Sequence, residues 1–196
     1  MGKIIAIAVI VLLVFVAIGA VSGYNRVVKL DQGVAQSWSQ VENVYQRRAD
    51  LIPNLVETVK GAANFEQETL TKVIEARAAA TQIKVTPEML NDPQALQRFD
   101  QAQGELSSAL SRLLVTVEQY PELKANANYL ALQDELAGTE NRIANERRRF
   151  TETVQSYNTA VKSFPMNMLA GMFGFGPKAY FEAAEGAEEA PKVNFN

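Results

Sequence analysis

The chain has 196 residues and contains neither cysteine nor histidine, which excludes disulfide frameworks, thiol nucleophiles, imidazole bases and the usual zinc sites. Its formal net charge is −3 and it carries no long basic run interleaved with aromatic residues, so nucleic-acid binding is not expected. The length fits one domain of ordinary size together with a membrane segment.

The chain begins with an apolar run over residues 4–21 that contains no charged residue. At 1.5 Å per residue, a helix of this length comes close to spanning a hydrocarbon core of about 30 Å. A cleaved signal peptide is the alternative, but the run is longer than the about 7–15 residues of a signal-peptide core. We therefore predict that residues 1–23 form a retained, single-pass membrane anchor.

Two features near the end of the anchor predict self-association. Gly19 and Gly23 form a pair of small residues four positions apart, where two anchor helices could approach closely. The apolar stripe that follows has no obvious partner in the same chain, so we expect a second copy to cover it in a homo-oligomer. The alternative is that residues 166–181 fold back and cover the stripe within one chain. This stripe consists of Val27, Leu30, Val34 and Trp38.

Residues 46–63 predict a helix with polar groups at core positions. Arg48 shares a stripe with apolar residues spaced three and four apart, and a guanidinium keeps its charge, so it needs an acceptor. Pro53 frees the carbonyl of Ala49, which costs about 3 kcal/mol unless another donor satisfies that oxygen. We predict a structural polar layer around a kink, in which Glu140, Glu146 or the carbonyl freed at Pro53 satisfies Arg48. Its members are Arg47, Arg48, Asp50, Pro53, Asn54, Glu140, Glu146 and Arg147. For Arg47, a solvated position on the surface remains an equal alternative.

Residues 24–164 are predicted to form an antiparallel bundle of long helices. The first helix extends towards residue 82, either with overhang at one end of the bundle or with a break near Gly61. The second begins at Asp92, with Pro93 in the first helical position, and ends at Tyr120 before Pro121.

The third helix is predicted from about residue 122 to residue 163. Gln133, Glu140 and Arg147 interrupt its apolar stripe at seven-residue spacing, which places polar groups towards the bundle core. No stretch of the chain shows sustained alternation of apolar and polar residues, so the predicted class is all-α.

The character of the sequence changes after Pro165. Residues 165–182 are rich in methionine, phenylalanine and glycine, and we expect them to pack as a lid over the bundle end. Contact with lipid or with a partner is the alternative for this segment. Residues 183–196 form an acidic tail for which disorder or loose docking is expected.

Several sequence blocks, in the same order, resemble the LemA family. They are YNRVVKLDQGV, WSQVENVYQRRADLIPNLVETVKGAA, VIEARAAA, VEQYPELKANANYLALQDELAGTENRIANERRRF, and YNTAVKSFP followed by FGFGPKAYFE. The resemblance implies a single-pass protein of the bacterial cytoplasmic (inner) membrane, with a four-helix bundle of three long helices and a short C-terminal helical segment. Basic residues are balanced across the anchor, which leaves the side of the bundle open, with a lean to the periplasm.

Two positions depart from the pattern of that family. Ala62 stands where an aromatic residue is common, and Phe65 stands where a histidine commonly precedes the glutamate. A metal or proton role of that histidine therefore cannot be transferred to this chain.

Two function classes compete. The first is a non-enzymatic scaffold or partner-binding module, with the lipid bilayer, further copies of the chain and an unidentified membrane protein as partners. The second is a metal-binding or enzymatic bundle that uses carboxylates, but Glu66 and Glu68 do not share a helical face and no GxSxG or SxxK motif occurs. We therefore expect no enzymatic activity, no cofactor and no small-molecule substrate.

Overall fold

The computed structural model describes residues 1–62, 65–84 and 86–181, and no strand occurs among them. The acidic tail predicted for residues 183–196 lies outside the described residues. The helices are α1 (Gly2–Lys60), α2 (Gln67–Gln82), α3 (Pro93–Val117), α4 (Pro121–Lys124), α5 (Ala127–Lys162) and α6 (Met166–Leu169), with 3-10 turns at Pro87–Asn91 and Ala170–Phe173. The predicted fold, all-α with an N-terminal transmembrane helix, is confirmed.

The helix α1 joins the anchor and the bundle without a break. It contains 59 residues, and its N-terminal apolar part faces away from the rest of the described protein, as a segment in contact with lipid would. Its buried face begins at Val27 and continues to Val59. The boundary predicted at residue 23 therefore falls inside one continuous helix.

The bundle contains four long helices. α1 packs against α5, and α2 packs against α3. The fourth bundle helix is α2 rather than the short C-terminal segment, because the first helix ends at Lys60 and the chain leaves the helical path at Gly61. The alternative of a break near Gly61 is confirmed.

Side-chain caps define the starts of α3 and α5. The Asp92 carboxylate accepts a hydrogen bond from the Gln94 amide at 2.9 Å, which confirms the predicted start of α3. The helix predicted from residue 122 is instead divided, because Asn126 caps a new helix by accepting from the amides of Asn128 and Tyr129. The short α4 therefore precedes α5 as a separate turn.

Two apolar clusters form the core, one at each end of the bundle. The proximal cluster, nearer the anchor, surrounds Trp38, and the distal cluster includes Ile52 and Leu113. Trp38 has no exposed surface, and its ring lies 5.5 Å from that of Phe99, 5.2 Å from that of Phe150 and 6.1 Å from that of Phe181.

The C-terminal segment folds back along the bundle and completes the proximal cluster. Met166, Ala170 and Phe181 are buried, so the predicted lid is confirmed. Hydrogen bonds hold the segment at successive points, including Asn158 Nδ2 to the Lys178 carbonyl at 2.8 Å and the Ala179 amide to the Leu90 carbonyl at 2.8 Å.

The expectation that the stripe beyond the anchor lacks cover within its own chain is wrong, and the alternative, that residues 166–181 fold back over it, is confirmed. Val27, Val34 and Trp38 are at most 1% exposed, and Leu30 is half-buried. Side chains of α5 and of the C-terminal segment fill the space that a second copy was expected to occupy, because the chain turns back after Phe164.

The two glycines of the anchor differ in their surroundings. A Cβ atom at Gly23 would lie 3.6 Å from Sδ of Met166, whereas no atom of the described residues lies within 4 Å of the same position at Gly19. The lack of a side chain at Gly23 thus lets Met166 of the C-terminal segment pack against α1, whereas no described atom covers Gly19 on the anchor surface.

Trp38 is the only tryptophan in the chain, so it reports on the lid. Phe181→Ala removes the stacked ring, and we expect water to reach the indole, giving red-shifted emission and stronger acrylamide quenching. Phe173→Ala is the matched control, since this ring is half exposed and contacts Tyr24. Identical Trp38 spectra for wild type and Phe181→Ala would contradict the closed lid.

Candidate functional site: a buried arginine cluster

Arg48 is the most buried charged residue described in the chain, with 1% of its surface exposed. It lies on α1 between Tyr45 of the proximal cluster and Ile52 of the distal cluster. The prediction from helical periodicity that Arg48 lies inside the bundle is confirmed.

The Arg48 guanidinium connects the helices around it. Nη1 donates to Glu140 Oε1 at 2.7 Å and to Ser107 Oγ at 2.8 Å, and Nη2 donates to the backbone and side-chain oxygens of Gln103. The Gln103 amide in turn donates to the Ala80 carbonyl at 3.4 Å. One cluster therefore joins α1, α2, α3 and α5.

The ion pair of this cluster is asymmetric. Arg48 is enclosed, whereas the Glu140 side chain is 46% exposed and reaches the cluster from the surface. A half-exposed carboxylate keeps much of its hydration, so the pair avoids the cost of burying both charges. The arrangement holds the permanent positive charge of Arg48 inside the bundle and leaves the carboxylate of Glu140 partly hydrated.

Glu140 is thus the acceptor, and the alternative choice of Glu146 is wrong. Glu146 pairs with Arg149 at 3.0 Å on the same helix. Six residues separate Glu140 from Glu146, which is not a whole number of helical turns, so the two carboxylates point in different directions.

The carbonyl that Pro53 frees has a different partner from the one expected. The Ala49 oxygen accepts from Nε of Arg77 on α2 at 2.7 Å, so it is not an acceptor for Arg48. Sequence reasoning missed Arg77, although an arginine in the next helix of a chain with an interior proline was a signal worth following. Pro53 therefore creates a point at which α2 is attached to α1.

Three members of the predicted polar layer lie on the surface, which contradicts the prediction for Asp50 and Asn54 and agrees with the solvated alternative for Arg47. Arg47 pairs with Glu135, Asp50 accepts from Gln46 at 2.7 Å, and Asn54 is exposed. These residues flank Arg48 on α1 but point away from the core, since adjacent helical positions are about 100° apart. The buried part of the layer is therefore narrower than predicted.

Arg147 forms a second cluster, closer to the anchor. Its Nη1 donates to Asp100 at 2.6 Å and to the Tyr45 hydroxyl at 3.3 Å, and its guanidinium lies 4.0 Å from the centre of the Phe181 ring. Burial raises the pKa of Tyr45, and the positive charge of Arg147 opposes part of that rise. Arg147 thus connects α1, α3, α5 and the lid.

Tyr157 and Lys178 attach the lid at a third place. The Tyr157 hydroxyl donates to the Gly176 carbonyl at 3.0 Å, and Lys178 pairs with Asp31 at 2.9 Å. Burial, with a smaller effect of Asp31, raises the pKa of Tyr157 to about 12. The phenol therefore keeps the proton with which it holds the lid.

These clusters combine permanent cations with acceptors that are already engaged. Among the described residues no group of three or more acidic side chains lies close enough to hold a metal ion. Within the same part of the chain, Ser107 donates no hydrogen bond to a base and instead accepts from Arg48. The geometry of these clusters fixes the register of the helices around α1.

The sequence pattern of one protein family matches residues 37–195 of this chain. The chain belongs to the LemA family. The match extends over α1 from residue 37, the remaining bundle and the lid, so it covers the Arg48 and Arg147 clusters in full.

Curated proteins with similar sequences include two magnetosome proteins and a protein LemA. The chain is 28% identical over 193 residues to magnetosome protein MamQ of Magnetospirillum gryphiswaldense, covering 90% of this chain and 71% of that protein. It is 28% identical over 175 residues to MamQ 2 of Paramagnetospirillum magneticum, covering 81% of this chain and 64% of the relative. It is 25% identical over 161 residues to protein LemA of Metamycoplasma hominis, covering 82% of this chain and 69% of that protein. The chain thus spans about two thirds of the length of these relatives.

Arg48→Met should destabilise the bundle, because it leaves the acceptors on Gln103 and Ser107 without their donor. Loss of one partner of a buried pair costs about 3–5 kcal/mol, whereas loss of an exposed pair costs under about 1 kcal/mol. The matched control is Arg47→Met, which removes the neighbouring surface pair with Glu135. Chemical denaturation followed by circular dichroism measures both, and equal losses would contradict a structural role of Arg48.

Arg77→Met should cost about 1–3 kcal/mol in the wild-type background, because it leaves the buried Ala49 carbonyl without a donor. In a Pro53→Ala background the restored amide of residue 53 can donate to that carbonyl, so the same substitution should cost clearly less. A double-mutant cycle on the unfolding free energy measures the coupling. Strictly additive costs would show that Arg77 and Pro53 act independently.

Proposed function

We propose that this LemA family protein is a non-enzymatic, membrane-anchored scaffold that holds a helical, partner-binding bundle at a fixed position beside the bacterial cytoplasmic membrane. The observation that carries the proposal is the continuity of α1 from the anchor into the bundle. A continuous helix transmits the position and direction of the anchor to the domain, which a flexible linker would not do.

The dimensions support a spacer role. After residue 23, α1 extends for roughly 55 Å at 1.5 Å per residue. Arg77 at the Ala49 carbonyl and the Arg48 cluster both support α1 in the turn that precedes Pro53, the position where an interior proline weakens a helix. The bundle therefore projects from the membrane as one body.

Family membership and the engaged polar clusters support a non-enzymatic role over the alternative of a carboxylate-based metal or enzymatic bundle. Elemental analysis of the purified protein by mass spectrometry tests this choice, and stoichiometric metal would overturn it. We propose an orientation with the bundle on the periplasmic side, which protease accessibility in intact spheroplasts tests.

We also propose that the scaffold self-associates, with the contact in the anchor instead of along the buried stripe. Gly19 supports this location because its surface is open in the single chain. Small residues let two membrane helices approach closely enough for backbone packing, which the larger lipid-facing side chains prevent.

Mass photometry of the full-length protein in detergent should therefore show an oligomer, and Gly19→Ile should convert it towards monomer by blocking close approach. Ile substitution at Ala17, on a different face of the same helix, provides the matched control. A monomeric wild-type protein would refute self-association, and an oligomer unaffected by Gly19→Ile would place the contact elsewhere.

A further inference from the structure

Four large apolar side chains are concentrated on the outer surface of one short stretch, residues 164–173. They are Phe164 (79% exposed), Met168 (70%), Met172 (81%) and Phe173 (48%), which we call the proximal patch. Elsewhere on the described bundle, large apolar residues such as Ile74, Val115 and Leu130 are exposed singly. Clustered exposure of this kind marks an interaction surface, whereas isolated exposed residues are ordinary.

The patch lies at the level where α1 leaves its apolar run. Met166, inside the same stretch, contacts Gly23, since its Sδ is 3.6 Å from where a Cβ of that residue would be. The Phe173 ring lies 5.1 Å from the ring of Tyr24. The apolar run ends at Val21, so about 3–5 Å of helix separates its end from the level of the patch.

That distance places the patch in the interfacial layer of a bilayer. The polar region on each side of the hydrocarbon core is about 5–7 Å thick, and amphipathic segments bury their apolar face at this depth. α6 and the following turn have the required two faces, because Met166 and Ala170 pack inward while Met168 and Met172 point outward.

Charge at the same end of the bundle is complementary to lipid headgroups. Arg26 lines a groove with Phe164, and Lys162 is the last residue of α5, immediately before the stretch. Both side chains are exposed, and neither forms a salt bridge within the described residues. Basic side chains beside an apolar patch are typical of segments that meet phosphate groups.

We infer that residues 164–173 form a second membrane contact, which rests in the interfacial layer of the bilayer that α1 crosses and presents the proximal patch to lipid. The inference rests on the proposed anchoring by α1. One spanning helix can tilt in the bilayer and carries the bundle with it, whereas a second contact to one side of that helix restricts the tilt. The lid thus has an inner face for the core and an outer face for lipid.

The absence of cysteine from the wild-type chain makes a direct test available. Full-length Met172→Cys is labelled with the fluorophore NBD and reconstituted into phosphatidylcholine vesicles that contain either a shallow (5-doxyl) or a deep (12-doxyl) quencher lipid. Val115→Cys is the matched control, since Val115 is 67% exposed and lines a groove with Thr69, in the part of the bundle remote from the anchor. Leu13→Cys reports on the anchor itself.

We expect the label at residue 172 to lose fluorescence with the shallow quencher more than with the deep one, the label at residue 115 to be unaffected, and the label at residue 13 to be quenched by the deep lipid. If the residue 172 label is no more quenched than the residue 115 label while the residue 13 label is quenched, the second contact is refuted and the anchor stands. A residue 172 label that is shielded from water but not quenched by lipid identifies a protein as the cover, which also refutes the inference. An unquenched label at residue 13 would refute the anchor, and with it the second contact.

Discussion

The continuity of α1 through two different surroundings is the constraint on which the remaining structure depends. Within a bilayer a helix satisfies its own backbone hydrogen bonds, and α1 keeps this pattern through Tyr24 into the bundle. The same helix must then offer an apolar face to protein from Val27 onwards. The helices α5, α2 and α6 and the turn at Pro87–Asn91 pack directly against α1, so the orientation of the domain follows from the orientation of the anchor.

The polar clusters define how the other helices align along α1. Apolar packing alone tolerates small shifts of one helix past another, whereas the two Nη groups of Arg48 make their hydrogen bonds only when Gln103, Ser107 and Glu140 are all at its level. Pro53 adds a second requirement, since the carbonyl that it frees is satisfied by Arg77. An interior proline and a buried charge, which are costly in isolation, together specify one register.

The C-terminal segment links α1 to the rest of the bundle. It covers the stripe on α1 through Met166 and Phe181, and Arg147 connects it to the bundle through the face of the Phe181 ring. The chain thereby completes the core of its own proximal half. The return of this segment to the level of Gly23 brings its remaining apolar side chains to the point where α1 emerges from its apolar run.

The sequence by itself determined the features that depend on neighbouring residues. Length and hydropathy specified the anchor, side-chain capping specified the start of α3 at Asp92, and helical phase specified the burial of Arg48. Each of these follows from contacts within about one or two turns, which a single sequence displays directly.

Only the tertiary structure decided which distant groups meet. The selection of Glu140 over Glu146, the pairing of Arg77 with the Ala49 carbonyl and the cover over Trp38 depend on where the chain reverses after Lys60, between α3 and α5, and after Phe164. The position of a reversal sets the register of whole helices. Helical periodicity indicates on which face of its own helix a residue lies, but not which residue of another helix lies opposite it. For that reason the sequence predicted a buried charge correctly and left its partners to the fold.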